Sequence, residues 1–420
     1  MYYERTIERV VESISNTFPV LVLTGPRQTG KTTLLQHISE AERKYVSLDN
    51  PNDRALAKSD PELFLQRYSP PVLIDEVQNA PELFDFIKIY ADTHKKCGDF
   101  WLTGSQTFHL MKNVTESLAG RAGIIRMLGL SNSEIENTGF GPFEVDPPAL
   151  IRRLDTAKRL TLPEMYERMF RGSFPRLYEN PEVDRKWFFE SYLESYISRD
   201  VKALTQVADE MSFLRFVSII AARTATNVNY ETLSNETGIS APTAKQWLSI
   251  LVSSGLVALI PPYANNALKR IIKAPRMYFL DTGLCAYLTR VNTPEFMEAS
   301  SMDGAFFETW VVSEIYKSYM NSGVRPPLYF YRDQNKKEID LIIHNNNMVY
   351  PIEIKKGSAP KDAVRNFSVL DPIAEEPSAE DISSGAAHLK TEIGNGAVVC
   401  LCSNVLPVDR KNWFVPAWLI

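Results

Sequence analysis

The amino-acid sequence predicts an α/β protein that begins with a parallel sheet covered by helices on both faces. From residue 1 to about residue 135, short apolar runs alternate with helical segments, and this alternation is typical of such a sheet. The polar motifs of this region stand where the apolar runs end, which is where open α/β sheets bind ligands. Farther along, residues 337–343 and 348–355 flank an asparagine turn, which predicts a second α/β unit containing a strand pair.

The first motif follows the apolar run Val20–Leu23 and has the form G-x-x-x-x-G-K-[ST], here GPRQTGKT at residues 25–32. Its glycines let the backbone curl so that several N–H groups face one phosphate, and the start of the next helix adds partial positive charge. Lys31 supplies a full positive charge and Thr32 a hydroxyl for Mg²⁺. A glycine-rich turn without a ligand is the alternative. The residues expected to hold the nucleotide are Gly25, Pro26, Arg27, Gln28, Thr29, Gly30, Lys31, Thr32 and Thr33.

A second motif combines an apolar run with two acids: Val72–Ile74 is followed by Asp75 and Glu76. Phosphate transfer requires a carboxylate that holds the metal and a group that orients the attacking water. We expect Asp75 to hold Mg²⁺ through water and Glu76 to polarise the hydrolytic water. The pattern is weak alone, but it lies 44 residues after Lys31 (75 − 31) with a further strand, Tyr45–Leu48, between them.

Two later segments carry further candidates. The run Phe100–Thr103 leads to Ser105 and Gln106, and one of these two is expected to contact the γ-phosphate and the attacking water; a capped turn is the alternative. Arg121 ends the segment SLAGR. It would either reach the nucleotide of a neighbouring subunit as an arginine finger or form a local ion pair.

Taken in order, these motifs resemble those of AAA-type P-loop ATPases, specifically the prokaryotic, archaeal-ATPase-like proteins that join such an ATPase to a C-terminal domain of unknown function. The resemblance lies in GPRQTGKTT, VLIDEVQ, LTGSQ, SLAGR, RGSFPRLY, YLESYISRDV and FYRDQNKKEIDLII…YPIEIKKG, between residues 25 and 357. The first two segments occur in many ATPases, whereas the full series is specific to the group. It implies ATP and Mg²⁺ as cofactors and hydrolysis of ATP to ADP and phosphate. The group's biochemical role is poorly defined, so the resemblance indicates the fold better than the task.

Four parts are predicted along the chain. They are an AAA-type P-loop ATPase core at residues 1–135, a linker and helical lid at 136–207, a winged-helix domain at 208–295 and a restriction-endonuclease-like domain at 296–420. In related ATPases a Gly-x-x-Pro turn of the lid packs on the nucleotide base. Pro175 would then contact the base and Arg176 would sense the phosphates; a plain helix–helix turn is the alternative.

The winged helix is predicted from two helices, 229–237 and 242–253, joined by a glycine turn and followed by strands at 257–260 and 277–280. The basic residues near the wing are Lys269, Arg270, Lys273 and Arg276. The second helix would enter the DNA major groove while the wing contacts phosphates. Because the exposed face of this helix offers few side chains for base recognition, docking of a protein is the alternative.

The C-terminal strand pair carries its own candidate chemistry. Glu353 and Lys355 are two residues apart on one strand and face the same side, Asp340 lies on the partner strand, and Glu308 precedes them on a helix. The pattern resembles the restriction-endonuclease-like core, in which two carboxylates hold Mg²⁺ and the lysine stabilises an activating hydroxide. An ion-paired sheet surface, or an inherited fold that no longer cuts, is the alternative.

Composition narrows the classes of function. A net charge of −5 and a pI near 5.7 give no whole-chain signal for nucleic acid, so a DNA site would be a local basic patch. The four cysteines lack zinc spacing, which favours reduced core thiols. The polar N-terminus and the absence of an apolar run near ~18 residues predict a soluble, cytoplasmic protein without a membrane partner.

We therefore expect an Mg-dependent AAA-type ATPase whose nucleotide state controls the winged-helix and nuclease-like module, which would contact double-stranded DNA. The arginine finger implies a homo-oligomer. One alternative is a slow nucleotide switch or signalling scaffold that binds protein partners. Another is an ATP-regulated, Mg-dependent DNA nuclease.

Overall fold

The structure, a computed structural model, describes residues 2–105, 107–180, 182–196, 210–264, 274–335, 337–371 and 392–420 of the 420-residue chain. For residues 107–109 and 112 it describes the backbone alone. Gln106, Lys269, Arg270 and Lys273, which the sequence singled out, lie outside the described residues.

The first sheet is parallel throughout. Its strands are β1 (Val20–Thr24), β2 (Lys44–Ser47), β3 (Val72–Asp75), β4 (Phe100–Gly104) and β5 (Ala122–Arg126). In the described part of the chain this sheet has five strands in the order β2-β3-β4-β1-β5, and each pair of neighbours runs in the same direction. Every residue of β1, β3 and β4 is buried, as expected for a parallel sheet with helices on both faces.

Successive residues of β1 enter two different cores, because neighbouring side chains of a strand point to opposite faces. Val20 and Val22 pack into one cluster, and Leu21 and Leu23 pack into the other. The helices of this part are α1 (Glu8–Ser15), α2 (Lys31–Ile38), α3 (Pro51–Ser59), α4 (Pro61–Arg67), α5 (Leu83–His94), α6 (Thr107–Ser117) and α7 (Asn132–Ile135), with a 3₁₀ turn at Val77–Asn79.

The middle of the chain is mainly helical. Its helices are α8 (Pro147–Thr156), α9 (Leu162–Arg171), α10 (Arg176–Glu179), α11 (Arg185–Tyr196), α12 (Glu210–Ala222), α13 (Tyr230–Thr237), α14 (Ala241–Ser253), α15 (Thr282–Leu288) and α16 (Pro294–Ala299). A small sheet joins β6 (Thr226–Asn227), β8 (Arg276–Phe279) and β7 (Val257–Ile260) in that order. Gly238 ends α13 in a left-handed conformation, and the Ser240 side chain caps α14 by accepting a hydrogen bond from the Thr243 N–H.

The C-terminal part is a mixed sheet beside a long helix, α17 (Asp303–Met320). Its strands are β9 (Leu328–Arg332), β10 (Glu338–Asn345), β11 (Met348–Lys355), β12 (Glu392–Ile393), β13 (Gly396–Cys400), β14 (Leu406–Pro407) and β15 (Asn412–Pro416), and its 3₁₀ turns are Arg365–Leu370 and Ala417–Leu419. The main order is β14-β15-β13-β11-β10-β9, and β12 pairs with β11. β10 and β11 form an antiparallel hairpin, and Asn346 in its turn has a φ of 55°.

One core connects the middle and C-terminal parts: a continuous cluster of buried side chains extends from Phe143 to Ile420. Tyr319 of α17 donates to the Phe143 carbonyl at 2.8 Å, and the hydroxyls of Thr224 and Thr309 are 2.8 Å apart. The predicted α/β class is confirmed, with a parallel sheet followed by a C-terminal mixed sheet. Among the described residues, no helix has the length and apolar character that a membrane crossing requires.

Candidate functional site

The loop at residues 25–30 has a backbone shape that particular residues must adopt. Gly25 has a φ of 141°, and a methyl group in place of its hydrogen would lie 2.0 Å from the Met127 carbonyl oxygen. Gly30, at a φ of 91°, and Gln28, at 59°, are also left-handed. The glycines of the motif are therefore required by close approach and by conformation.

Lys31 begins α2 and lies inside this loop, with 7% of its surface exposed. Its Nζ donates to the carbonyl oxygens of Gly25 at 3.0 Å and Pro26 at 2.7 Å, and the Thr29 hydroxyl donates to Pro26 O at 3.0 Å. A buried ammonium group is thus held within a curled backbone, which is the arrangement that suits a phosphate.

The Asp75 carboxylate lies directly beside the loop. Thr32 Oγ1 donates to Asp75 Oδ1 at 2.8 Å, Thr103 Oγ1 donates to the same oxygen, and Tyr45 OH donates to Oδ2 at 3.4 Å. Burial, and then the charge of Asp75, raise the pKa of Tyr45. Three hydroxyls on three neighbouring segments therefore orient one carboxylate.

Glu76 has a left-handed backbone with a φ of 54°, which is uncommon outside glycine and costs conformational energy. Its Oε2 accepts hydrogen bonds from Ser105 Oγ at 3.1 Å, from Ser105 N at 3.4 Å and from Gln78 Nε2. The structure therefore brings Ser105 to Glu76, while Gln106 lies outside the described residues.

Tyr45, Gln78 and Thr103 were missed by sequence reasoning. A signal existed for Thr103, because it stands at the end of a strand parallel to the one that carries Asp75. A signal also existed for Gln78, because it ends the segment VLIDEVQ and contacts Glu76 two residues away. No local pattern marks Tyr45, since its contact with Asp75 depends on how two strands meet in space.

Arg121 lies at the amino ends of the strands, opposite the end of the sheet that carries the phosphate loop. It precedes β5, whose first residue pairs with Val20 at the amino end of β1, whereas the loop follows the carboxyl end of β1. Its Nε and Nη2 contact the Asp92 carboxylate at 2.5 and 3.0 Å, and about a third of its side chain is exposed. This hydrogen bonding raises the pKa of Arg121 and lowers that of Asp92. Within this chain Arg121 thus forms a local ion pair.

Pro175 lies next to the loop: a methyl group placed on Gly30 would be 4.0 Å from Pro175 Cγ. Arg176 begins α10 and is exposed. The segment before them is fixed from two sides, since the Leu130 N–H donates to Ser173 O at 2.7 Å and Asp281 accepts from the Ser173 N–H and hydroxyl, each at 2.6 Å.

The turn that follows α14 also touches the loop. A methyl group placed on Gly255, whose φ is 77°, would lie 3.1 Å from both Cγ and Cδ of Pro26. Nearby, Arg126 Nη1 donates to Val252 O at 3.4 Å, and the hydroxyls of Tyr196 and Ser254 are 2.9 Å apart. The turn between α14 and β7 is therefore packed directly against the phosphate loop.

Near the N-terminus, a buried arginine, Arg5, contacts the loop. Arg5 Nη1 donates to Thr29 O at 3.0 Å, Nη2 donates to Leu128 O at 2.8 Å, and Nε pairs with Glu134 Oε1 at 3.1 Å. No motif in the sequence pointed to Arg5.

The C-terminal candidates meet around the hairpin of β10 and β11. Lys355 Nζ lies 2.6 Å from Glu353 Oε1 and 3.8 Å from Asp340 Oδ2, and the Ile354 N–H donates to Asp340 Oδ2 at 2.8 Å. On α17, Glu308 accepts a hydrogen bond from Tyr278 OH at 2.7 Å. In the same cluster, Arg276 Nη1 lies 3.3 Å from Glu308 Oε1, and Arg276 Nη2 contacts Glu338.

Burial and the nearby charge of Asp340 raise the pKa of Glu308 and of Glu353 to about 7. Burial alone would lower the pKa of Lys355, but the charges of Asp340 and Glu353 raise it. Glu353 Oε2 is buried and makes no hydrogen bond. Across the residues that the structure describes, no three acidic, histidine or cysteine side chains are grouped so that they would hold a metal ion together.

Comparison with family models divides the chain into three matches. Residues 17–136 match an AAA domain, residues 162–295 match a domain of unknown function (DUF8612), and residues 303–420 match another (DUF4143). The first match confirms the predicted AAA-type ATPase, and the third confirms that it is joined to a C-terminal domain of unknown function.

Among curated proteins, the chain is similar to uncharacterized proteins of Mycobacterium bovis and Mycobacterium tuberculosis, each 27% identical over 344 residues, which is 81% of this chain and 71% of theirs. Among solved structures it matches the RuvB Holliday junction branch migration motor of Thermotoga maritima, with 17% identity and a TM-score of 0.29 over 61% of this chain and 87% of that one. The Aeropyrum pernix ORC2 protein matches with 13% identity and a TM-score of 0.28 over 60% and 85%.

Gly25→Ala is expected to destabilise the protein. The methyl group would meet the Met127 carbonyl at 2.0 Å, and the φ of 141° is unfavourable for alanine; backbone strain of this kind costs roughly 1–3 kcal/mol before the clash is counted. The thermal unfolding midpoint should fall by several degrees. Gly304→Ala is the matched control, since a methyl group there meets nothing within 4 Å. Equal midpoints for the two variants would contradict the assigned loop geometry.

Proposed function

We propose that this chain, an AAA-type P-loop ATPase by fold, binds Mg²⁺-ATP, hydrolyses it, and uses its nucleotide state to control the middle and C-terminal parts. The observation that carries the proposal is the hydrogen bond of 2.8 Å between Thr32 and Asp75, next to the buried Lys31. A hydroxyl and a carboxylate are ligands that Mg²⁺ prefers, and the ammonium group and the loop N–H groups suit the phosphates.

The chemical step would be attack of water on the γ-phosphorus, with release of ADP and phosphate. Glu76 would accept a hydrogen bond from this water and orient it, and Ser105, which contacts Glu76 at 3.1 Å, would place the carboxylate. Lys31 would offset the negative charge on the phosphate oxygens. Thr32 and, through water, Asp75 would hold Mg²⁺, and this ion would supply positive charge against the negative charge of the phosphates. Pro175 would border the nucleotide, and Arg176, at the start of α10, would face its phosphates.

Control of the rest of the chain would begin at Pro26, which belongs to the loop and packs against Gly255. The loop would change shape when it binds phosphates. Because Pro26 contacts Gly255, this change would displace the turn between α14 and β7. We interpret this middle part as a winged helix. One face of α14 is exposed and carries Lys245, Gln246 and Ser249. This face would be accessible to the major groove of DNA.

A second candidate function is Mg-dependent cleavage of nucleic acid by the C-terminal part. The specific observation in its favour is the buried Glu353 Oε2, which makes no hydrogen bond beside Asp340 and Lys355. A buried carboxylate oxygen without a partner is costly unless a cation or water reaches it. Asp340 and Glu353 would hold the metal, and Lys355 would stabilise a hydroxide.

Lys31→Ala and Glu76→Gln should separate binding from hydrolysis. Lys31→Ala removes the positive charge of the loop and should weaken ATP binding on the order of 100-fold, which corresponds to about 3 kcal/mol, the upper end of the range for hydrogen bonds to a charged group. Glu76→Gln should bind ATP normally and lower the turnover number on the order of 100-fold or more. Calorimetric titration and phosphate release would measure the two quantities. Unchanged affinity in the first variant would remove Lys31 from the site, and retained turnover in the second would move the water-orienting role elsewhere.

DNA contact predicts that double-stranded DNA stimulates ATP hydrolysis. When the salt concentration is raised from ~50 to ~200 mM, the DNA concentration that gives half-maximal stimulation should rise about tenfold for every two phosphate contacts. Lys245→Gln should weaken this stimulation and leave basal turnover unchanged, whereas the exposed Lys58→Gln on α3 serves as the control. No stimulation at either salt concentration would favour the alternative of a slow nucleotide switch that binds a protein partner.

The nuclease hypothesis predicts Mg²⁺-dependent nicking of supercoiled plasmid by the full chain, lost in Glu353→Gln. The reason is that the amide removes the anionic oxygen that would bind the metal. Glu392→Gln, at an exposed acid of the same sheet, is the control and should cut normally. Plasmid left intact by the unaltered protein in Mg²⁺, with and without ATP, would contradict the nuclease hypothesis.

A further inference from the structure

Arg5 is a buried charge that the proposed reaction does not yet use. It lies in the segment before α1, and 5% of its surface is exposed. Each nitrogen of its guanidinium group has an acceptor: Nε contacts Glu134, Nη1 contacts Thr29 O, and Nη2 contacts the carbonyl oxygens of Leu128 at 2.8 Å and Gly129 at 3.3 Å. Burying an arginine is costly unless its charge and its N–H groups are paired, and these contacts supply that pairing.

Thr29 belongs to the phosphate loop, and its carbonyl orientation decides where the next N–H points. A trans peptide unit places its C=O and N–H on opposite sides. The hydrogen bond of 3.0 Å from Arg5 to Thr29 O therefore turns the Gly30 N–H away from Arg5. Because Gly30 has a φ of 91°, this peptide unit would have other orientations available without such a contact.

Glu134 fixes the direction of Arg5. Its Oε1 accepts from Arg5 Nε at 3.1 Å and from the Thr6 N–H at 3.0 Å, and its Oε2 accepts from the Ser131 N–H at 2.9 Å. The Glu134 side chain is 1% exposed, so water does not compete for these contacts. The carboxylate thus holds the guanidinium in the plane that reaches the loop.

We propose that Arg5 is a positioning residue of the nucleotide site, which holds the Thr29–Gly30 peptide of the phosphate loop in the orientation that binds phosphate. This inference rests on the proposed ATPase function and adds to it a residue outside the sequence motifs. A purely structural arginine, which only ties the N-terminal segment to residues 128–134, would affect stability but not affinity for nucleotide.

The test compares Arg5→Lys with Arg153→Lys in the full chain. Arg153 is a matched control because it is also buried and donates to backbone carbonyls, those of Gly141 and Pro142 at 2.9 Å and Leu419 at 3.3 Å. A lysine at position 5 keeps the charge but lacks the planar fork needed to reach Glu134 and the loop together.

For Arg5→Lys we expect the KM for ATP and the Kd for ADP to rise about tenfold, the effect of one lost charge-assisted hydrogen bond, while kcat stays within about twofold. Arg153→Lys should lower the thermal midpoint and leave KM and Kd unchanged. If Arg5→Lys does not fold, Glu134→Gln replaces it, since the amide keeps the size of the side chain but loses the ion pair. A rise in KM of about threefold is then expected.

Unchanged KM and Kd in a folded Arg5→Lys or Glu134→Gln protein would overturn the inference while the ATPase function stands. Similar rises in KM for Arg5→Lys and Arg153→Lys would also overturn it, because general loosening would then explain both. Wild-type protein that binds neither ATP nor ADP would overturn the proposed function and this inference together.

Discussion

The nucleotide site depends on the common direction of β1, β3 and β4. Because these strands are parallel neighbours, Gly25, Asp75 and Ser105 leave the sheet at the same edge although they are far apart along the chain. The hydrogen bond between Thr32 and Asp75 then joins the first turn of α2 to the end of β3. Without this alignment, Lys31 and Asp75 would not lie at the same end of the sheet.

The segment that leaves β5 is the junction between the three parts of the chain. The Met127 N–H donates to Thr24 O at 2.8 Å, so this segment continues beside the strand that carries the phosphate loop. Three residues later, the Leu130 N–H donates to Ser173 O at 2.7 Å, and Lys317 Nζ on α17 donates to Leu130 O at 3.0 Å. The loop, the segment before α10 and the C-terminal helix thus contact one short stretch of backbone.

The sequence predicted the parts of the site that are encoded locally. The residues of the phosphate loop follow one another in a single short segment, and so do the acids at the end of β3. Each segment therefore has a spacing that can be recognised in the sequence. Arg5 and Gly255 contact the same loop, yet their partners are distant along the chain, and such contacts leave no pattern in a single sequence. Arg121 is the converse case. Its place in the motif series left two roles open, an arginine finger and a local ion pair. The structure contains the ion pair, which Arg121 forms with Asp92.

The C-terminal cluster combines buried carboxylates with two cations. Folding brings Glu308, Asp340 and Glu353 together, and the cations among them are Arg276 from β8 and Lys355 from β11. The pKa values of both glutamates rise to about 7 because of burial and the charge of Asp340, so near neutral pH protons compensate part of the remaining negative charge. A sheet surface that served only to form ion pairs would expose its carboxylate oxygens to water or pair them, whereas Glu353 Oε2 is buried and makes no hydrogen bond. This buried oxygen without a partner, more than the motif itself, is what favours a cation beside Asp340 and Glu353.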